Sequence, residues 1–333
     1  NLSHNFIEKV PTSITSLKNL ICLEINDNKI TEIPKLNRFM QILCASDNKI
    51  SKIEKQDLFS LIGINLSNNE ITSYPTGIYH PYIERMNLSH NKISQINLSS
   101  LADEMKNDSL EFFDLSFNQI ESIPKELFEY YPNIQRLFVH FNKISELPSE
   151  ISLCKKLKEL SISFNPITKI QRLPRSLLVL YASNCLIESF SDRSFVDGEE
   201  DLKLERLFLS GNKIESFSII PSLKILNLSN NQISKMPVVT QKIAVLDLSM
   251  NIIESNVQSM PLGISAPSLI DINLSYNKLT KVPQLQDVPS LRYIEISGNQ
   301  IEGEINVTAF PSLERIDVSE TNISVVGESA SLH

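Results

Sequence analysis

Apolar residues return along this chain in one fixed phrase. Between Leu223 and Ile233 they stand at Leu223, Leu226, Leu228 and Ile233, with Asn231 set between the last two. Leu226 and Leu228 alternate with Asn227 and Ser229, a period of two that predicts a short strand with two side chains turned in and two turned out. Asn231 then turns the chain, because its amide both donates to and accepts from backbone groups that the bend would otherwise bury unpaired. One such unit cannot cover its own apolar face. Neighbours must stack on it, and their strands then form one long parallel sheet.

The register of the turn position can be followed from end to end. It is filled by Asn5, Asn28, Asn48, Asn69, Asn91, Asn118, Asn142, Asn165, Cys185, Asn212, Asn231, Asn251, Asn277, Asn299 and Thr321, which makes 15 repeats with the first truncated. The 316 residues from Asn5 to Thr321 give a mean repeat of 22.6 residues. Repeats this short leave little room for full helices opposite the sheet, so 3-10 turns and extended pieces are expected there. Val10-Pro11, Ile33-Pro34, Tyr74-Pro75, Ile123-Pro124, Leu147-Pro148, Met236-Pro237 and Val282-Pro283 share a second slot, an apolar plug whose exit direction the proline ring fixes. The spacing from Leu147 through Ile151 and Cys154 to Leu157 suits a single helical turn. Three intervals are long, and carry a candidate short helix at Ser99–Lys106 and an acidic stretch at Asp197–Asp201. Insertions of this kind read as solvated loops on a common face.

The eleven-residue phrase resembles the leucine-rich repeat, and the resemblance covers nearly the whole chain. It implies an α/β-class, right-handed curved solenoid with a parallel concave sheet and a mostly 3-10 and extended convex side. The expected organisation is a single domain over residues 1–333, a fragment of a larger protein. Leu147-Pro-Ser-Glu-Ile151 and the near-23-residue spacing resemble intracellular signalling repeats of the Ras-suppressor and Scribble type, of fungal adenylyl cyclase, and of PH-domain leucine-rich-repeat phosphatases. The shorter repeats, such as Pro221–Val239, resemble those of bacterial effectors. Cys185 and Thr321 at the turn position, and Ala45 and Ala182 at inward positions, depart from the pattern.

Charge and composition narrow the partners. A net charge of -8 disfavours nucleic acid, which needs a basic stripe. No run of apolar residues is long enough for a membrane span. The four cysteines, Cys22, Cys44, Cys154 and Cys185, form no clustered pairs, and Cys154 and Cys185 read as buried thiols. With no disulfide-bonded cap in view, a cytoplasmic location is expected. Asn65, Asn87, Asn227 and Asn273 each begin Asn-Leu-Ser, but the repeat itself spells that triplet at one outward strand position, so they are expected to carry no sugar.

The five histidines (His4, His80, His90, His140 and His333) have no metal-ligand spacing, and no phosphate-binding glycine loop or Gly-x-Ser-x-Gly elbow occurs. No catalytic residue, metal or cofactor is therefore expected. Information lies on the outward strand positions. Phe112, Phe117, Arg136, Phe138, His140, Phe141, Phe164, Tyr181, Arg206 and Phe208 fall on five successive strands, and at about 4.8 Å per strand they predict one aromatic patch with arginines beside it. Phe117, Phe141 and Phe164 directly precede the turn asparagine and also fit a packing role at the lip of the sheet. Toward the C-terminal end Asp247, Asp271, Glu295, Glu314, Asp317 and Glu320 predict an acidic surface able to steer a basic partner region. The function these features imply is non-catalytic protein binding on the concave face in intracellular signalling, the partner being of the class of a small GTPase or phosphatase. The alternative is the regulatory or targeting region of a larger enzyme, a PP2C-type phosphatase by the resemblance.

Overall fold

A computed structural model describes residues 1–56, 58, 60–78, 81–98, 106–198, 201–218, 220–238, 240–255 and 264–327. It is a parallel-sheet solenoid with few helices, as the repeat pattern predicts. The chain forms two compact units, one of Asn1–Ile167 with Arg172–Leu177, the other of Thr168–Gln171 with Leu178–His333.

In the first unit the strands β1 (Cys22–Glu24), β2 (Ile42–Cys44), β3 (Gly63–Asn65), β4 (Arg85–Asn87), β5 (Phe112–Asp114), β6 (Arg136–Phe138) and β7 (Glu159–Ser161) pair in parallel in chain order. In the second unit β8 (Val179–Tyr181), β9 (Arg206–Phe208), β10 (Ile225–Asn227), β11 (Val245–Asp247), β13 (Asp271–Asn273), β15 (Tyr293–Glu295) and β17 (Arg315–Asp317) do the same. Two smaller parallel pairs, β12 (Ile264–Ser265) with β14 (Leu285–Gln286) and β16 (Glu302–Asn306) with β18 (Asn322–Val326), belong to the second unit as well. Opposite the main strands run 3-10 turns, such as Ser149–Leu153 where the Leu147 spacing suits a turn, and one α-helix among the described residues, α1 (Glu126–Tyr130). Most of the candidate helix at Ser99–Lys106, and Glu199 and Glu200 of the acidic stretch, lie outside the described residues.

Three-residue strands are too short to be stable by themselves, and the turn asparagines tie each repeat to the one before it. Asn91 is buried; its Nδ2 donates to the carbonyls of Leu88 and Ser89 in its own repeat (3.0 and 3.1 Å) and of Leu66 in the preceding one (2.9 Å). Its Oδ1 accepts from the Ile71 N–H, also in the preceding repeat (3.0 Å). Asn48, Asn69, Asn165, Asn251, Asn277 and Asn299 repeat this arrangement. Thr321, with one hydroxyl, bonds within its own turn, to the Val318 carbonyl and from the Ile323 N–H.

The residue before each turn position is left-handed at all 15 registers. Its φ lies between 52° and 61° where a side chain is present, and at 68° and 63° at Gly211 and Gly298. Beneath the strands the core is continuous leucine and isoleucine. Ala45 and Ala182 are fully buried, as are the plugs Val10, Ile33, Tyr74, Ile123, Leu147 and Met236, whereas Val282 is only half-buried. Tyr74 reaches across to Tyr131 with a 2.8 Å hydroxyl contact beneath Phe113.

Cys154 and Cys185 are buried free thiols, and burial pushes the Cys154 thiol up to about 12. Maleimide labelling of the native protein is expected at Cys22 and Cys44 only, with Cys154 and Cys185 reacting after denaturation; native labelling of either buried thiol would contradict this packing. Asn91→Ala strips the linkage from two buried repeats, and unpaired buried backbone groups cost about 1–3 kcal/mol each. A loss of roughly 2–3 kcal/mol in urea-induced unfolding is expected.

Candidate functional site

The middle residue of every main strand but β17 is buried, Ile316 of β17 being half-buried, and the first and third positions lie on the opposite face. The first unit therefore presents two rows on its open face. The first-position row reads Cys22, Ile42, Gly63, Arg85, Phe112, Arg136 and Glu159, and the third-position row Glu24, Cys44, Asn65, Asn87, Asp114, Phe138 and Ser161. Two residues further on, at the bend, stand serines and His140. The side-chain oxygens of Asn65, Asn87 and Asp114 each accept from the N–H and hydroxyl of the serine two residues on, so this position closes the turn as well as facing out.

All seven predicted site residues of this unit join one contact network. Phe112 meets Phe138 edge-on at 5.6 Å between ring centres, and the Arg136 guanidinium lies 5.2 Å above the Phe112 ring. Phe138 meets His140 at 6.3 Å, and His140 in turn abuts Phe117 and Phe141 at 5.4 and 6.0 Å. Phe117, Phe141 and Phe164 stack face to face at 4.3 and 4.0 Å, and His90, which the sequence did not mark, extends the stack beside Phe117 at 4.1 Å. These four occupy the left-handed position of four consecutive repeats, which placed His90 in the row had that position been followed back one repeat.

The packing alternative for the three stacked phenylalanines is resolved in both directions. They pack, but on one another, and remain 37, 39 and 43% exposed. Left-handed backbone costs a side-chain-bearing residue about 1–2 kcal/mol, and each aromatic pair returns about 0.5–1.5 kcal/mol. Stacking therefore offsets most of the strain and leaves an apolar edge facing solvent.

In the second unit Tyr181 and Phe208 stack at 5.0 Å with rings 7° from parallel, and Arg206 is exposed. Val179, an outward position by register, is buried. The acidic surface is less free than its composition suggests. Glu314 pairs with the Arg292 guanidinium and accepts from the Tyr293 hydroxyl at 2.9 Å, which holds its carboxyl below the usual range. Asp247 and Glu295 accept from the Asn227 and Asn273 amides. Burial, and then the neighbouring Asp247 carboxylate, push the Asp271 carboxyl up. Among the described residues no group of three or more His, Cys, Asp and Glu could hold a metal ion, and no helix is long and apolar enough to cross a membrane.

Family models for the leucine rich repeat match residues 108–167 and 241–301, and a two-copy leucine rich repeats model matches 202–241. The chain carries leucine-rich repeats over these stretches. It is 27% identical to human keratocan over 229 residues, which cover 66% of this chain and 62% of keratocan. It is 29% identical to mouse lumican over 252 residues, or 67% of this chain and 68% of lumican. The functional domain of InlJ from Listeria monocytogenes shares the fold at a TM-score of 0.73 and 18% identity, over 92% of this chain and 64% of that one. The chain thus spans less than two thirds of keratocan.

These relatives support the leucine-rich repeat but not the narrower Ras-suppressor or Scribble-type group, and they lend the phosphatase alternative no support. They are non-enzymatic binding proteins, in keeping with the expectation that these residues hold no enzyme. The expected cytoplasmic location is overturned, because keratocan and lumican are secreted extracellular matrix proteoglycans. The error lay in reading compartment from free cysteines. Cys154 and Cys185 are sealed in the core, where a thiol packs as a small apolar group whatever the redox state outside.

His140 tests the network. Burial lowers its pKa from 6.5, the Asp114 carboxylate opposes that shift, and His90 adds to it; its Nδ1 lies 3.1 Å from the Ser161 hydroxyl. A histidine whose folded pKa lies below its unfolded value contributes stability that is complete above the unfolded pKa and lost as pH falls through the folded one. Wild-type stability in urea should therefore decline as pH drops below 6.5, and His140→Gln should lose less over the same interval. An identical decline in the variant would remove His140 from this account.

Proposed function

We propose that the open face of the first unit is a protein-binding surface, centred on Phe112, Phe138, Arg136 and His140 and edged by the stack of Phe117, Phe141 and Phe164. The observation that carries this reading is the stack itself. Three phenylalanines in consecutive repeats hold left-handed backbone where seven other repeats place Asn, Asp or Gly at less cost, and they keep their faces partly in water. An apolar stack left partly in water at a surface position points to use as well as packing. Aromatic rings beside an arginine are also the side chains in which binding energy concentrates. Keratocan and lumican act as protein-binding scaffolds, and that role carries over as part of this proposal. Their setting directs the search for a partner to extracellular matrix proteins rather than to small GTPases.

Phe112→Ala/Phe138→Ala removes the centre of the surface, and Phe117→Asn/Phe141→Asn removes its edge while placing a residue that accepts left-handed backbone. Both variants should keep the circular dichroism spectrum of the wild type. Each should lose a matrix protein captured by the wild type, with affinity weakened about tenfold or more per hot-spot ring. A partner held with unchanged affinity by both variants would move the binding surface elsewhere on the chain.

A further inference from the structure

Beside the aromatic surface, the first-position row contains a gap. Gly63 stands between Ile42 and Arg85 in register, and a Cβ there would meet no atom within 4 Å. The gap opens into a depression of about 630 Å³ on the open face, inside the range of roughly 300–1,000 Å³ typical of ligand sites. Ile42 and Ile62 line it and remain 42 and 38% exposed. Arg85, Phe112 and Arg136 form its other side, so it runs without a break into the proposed protein-binding surface. Among the described residues neither arginine has an ion-pair partner, although Glu84 also lines the depression and Glu159 neighbours Arg136 in register.

We infer that this depression receives an extended peptide segment of the partner, seating one large apolar side chain over Gly63 with an Asp or Glu one or two residues away against Arg85 and Arg136. The inference rests on the reading of this face as a protein-binding surface and adds the recognised chemistry. Both halves of the occupant follow from what is left unsatisfied. Two exposed isoleucines beside a missing side chain ask for apolar cover. Two guanidiniums held by no carboxylate ask for an anion, which a planar fork binds through paired hydrogen bonds. An anion alone would leave the isoleucines wet, and an apolar ligand alone would cover the guanidiniums without a partner. Glu84 at the rim disfavours a second acidic side chain on its side and so fixes the direction in which the segment lies.

Gly63 makes the test clean. It lies in a strand and its Cβ direction is open, so Gly63→Leu directs a side chain into the depression with no clash at its Cβ. The full chain would be used to select from a phage-displayed library of random twelve-residue peptides, in parallel with Gly63→Leu, Arg85→Gln/Arg136→Gln and Phe138→Ala. The wild type should enrich peptides with a large apolar residue within two positions of Asp or Glu. Gly63→Leu, melting no lower than wild type, should lose at least tenfold of that enrichment. Arg85→Gln/Arg136→Gln should keep the apolar preference and lose the acidic one. Peptides lost in Phe138→Ala but retained by Gly63→Leu would overturn the depression as a subsite while leaving the protein-binding face standing. A consensus without an acidic residue, or no enrichment above Gly63→Leu, would overturn the inference.

Discussion

One side-chain amide in every repeat but those of Cys185 and Thr321 ties the stack in register. Its three-residue strands present too few backbone bonds to stand alone, and the leucines beneath them would slide equally well in several alignments. The turn asparagine is what discriminates among those alignments. Its nitrogen and oxygen satisfy carbonyls of its own bend and a carbonyl and N–H of the repeat before it, all buried, so a slipped stack would strand several polar groups at once. Because the amide does this from inside the sheet, the first-position outward side chains are left with little structural duty, whereas Asn65, Asn87 and Asp114 in the third-position row also close the turn. That separation lets one scaffold carry many surfaces, and it is why fold similarity at 18% identity says nothing of what is bound.

The same turn imposes a second constraint with the opposite effect. The residue before each asparagine must be left-handed, which Asn, Asp and Gly accept at little cost and which aromatic residues resist. A solitary phenylalanine there is a loss. A run of them in consecutive repeats recovers most of it, because the repeat spacing brings the rings to stacking distance. The row His90, Phe117, Phe141 and Phe164 is therefore cooperative: each ring is tolerable because of its neighbours. Met250 and Tyr276 hold the same position in consecutive repeats of the other unit; the Tyr276 ring lies over Gly298, and both residues remain more than half exposed.

The fold was legible because periodicity is a property of the chain itself. Every turn position read from the sequence is preceded by a left-handed residue, Cys185 and Thr321 included. The aromatic residues were legible for the same reason, since register decides which side of a strand a residue occupies. What escaped were features made by neighbours. Val179 is buried despite its outward register because of what surrounds it. Glu314 counted toward an acidic surface in the sequence, yet its carboxylate is paired with Arg292 and accepts from the Tyr293 hydroxyl. Gly63 carried no signal at all, because a missing side chain becomes a depression only when Ile42, Arg85 and Phe112 are seen around it. Location was misread because core thiols report packing and not compartment.

Net charge illustrates the same division between composition and arrangement. A chain at -8 reads as one that seeks basic partners. On the open face of the second unit, however, several carboxylates already accept hydrogen bonds from the chain itself, Asp247 from Asn227 and Glu295 from Asn273 among them, so their attraction for a cation is partly spent. On the open face of the first unit the unmatched charges at the depression include two arginines, next to exposed isoleucine and phenylalanine. Screening confines the influence of exposed charge to about 8–10 Å at physiological salt, so a docking segment experiences that pair and the adjacent Glu84 and Glu159 far more than the remaining carboxylates of the chain. An overall acidic protein can thus select an acidic, apolar segment, provided the guanidiniums stand where apolar cover is also missing.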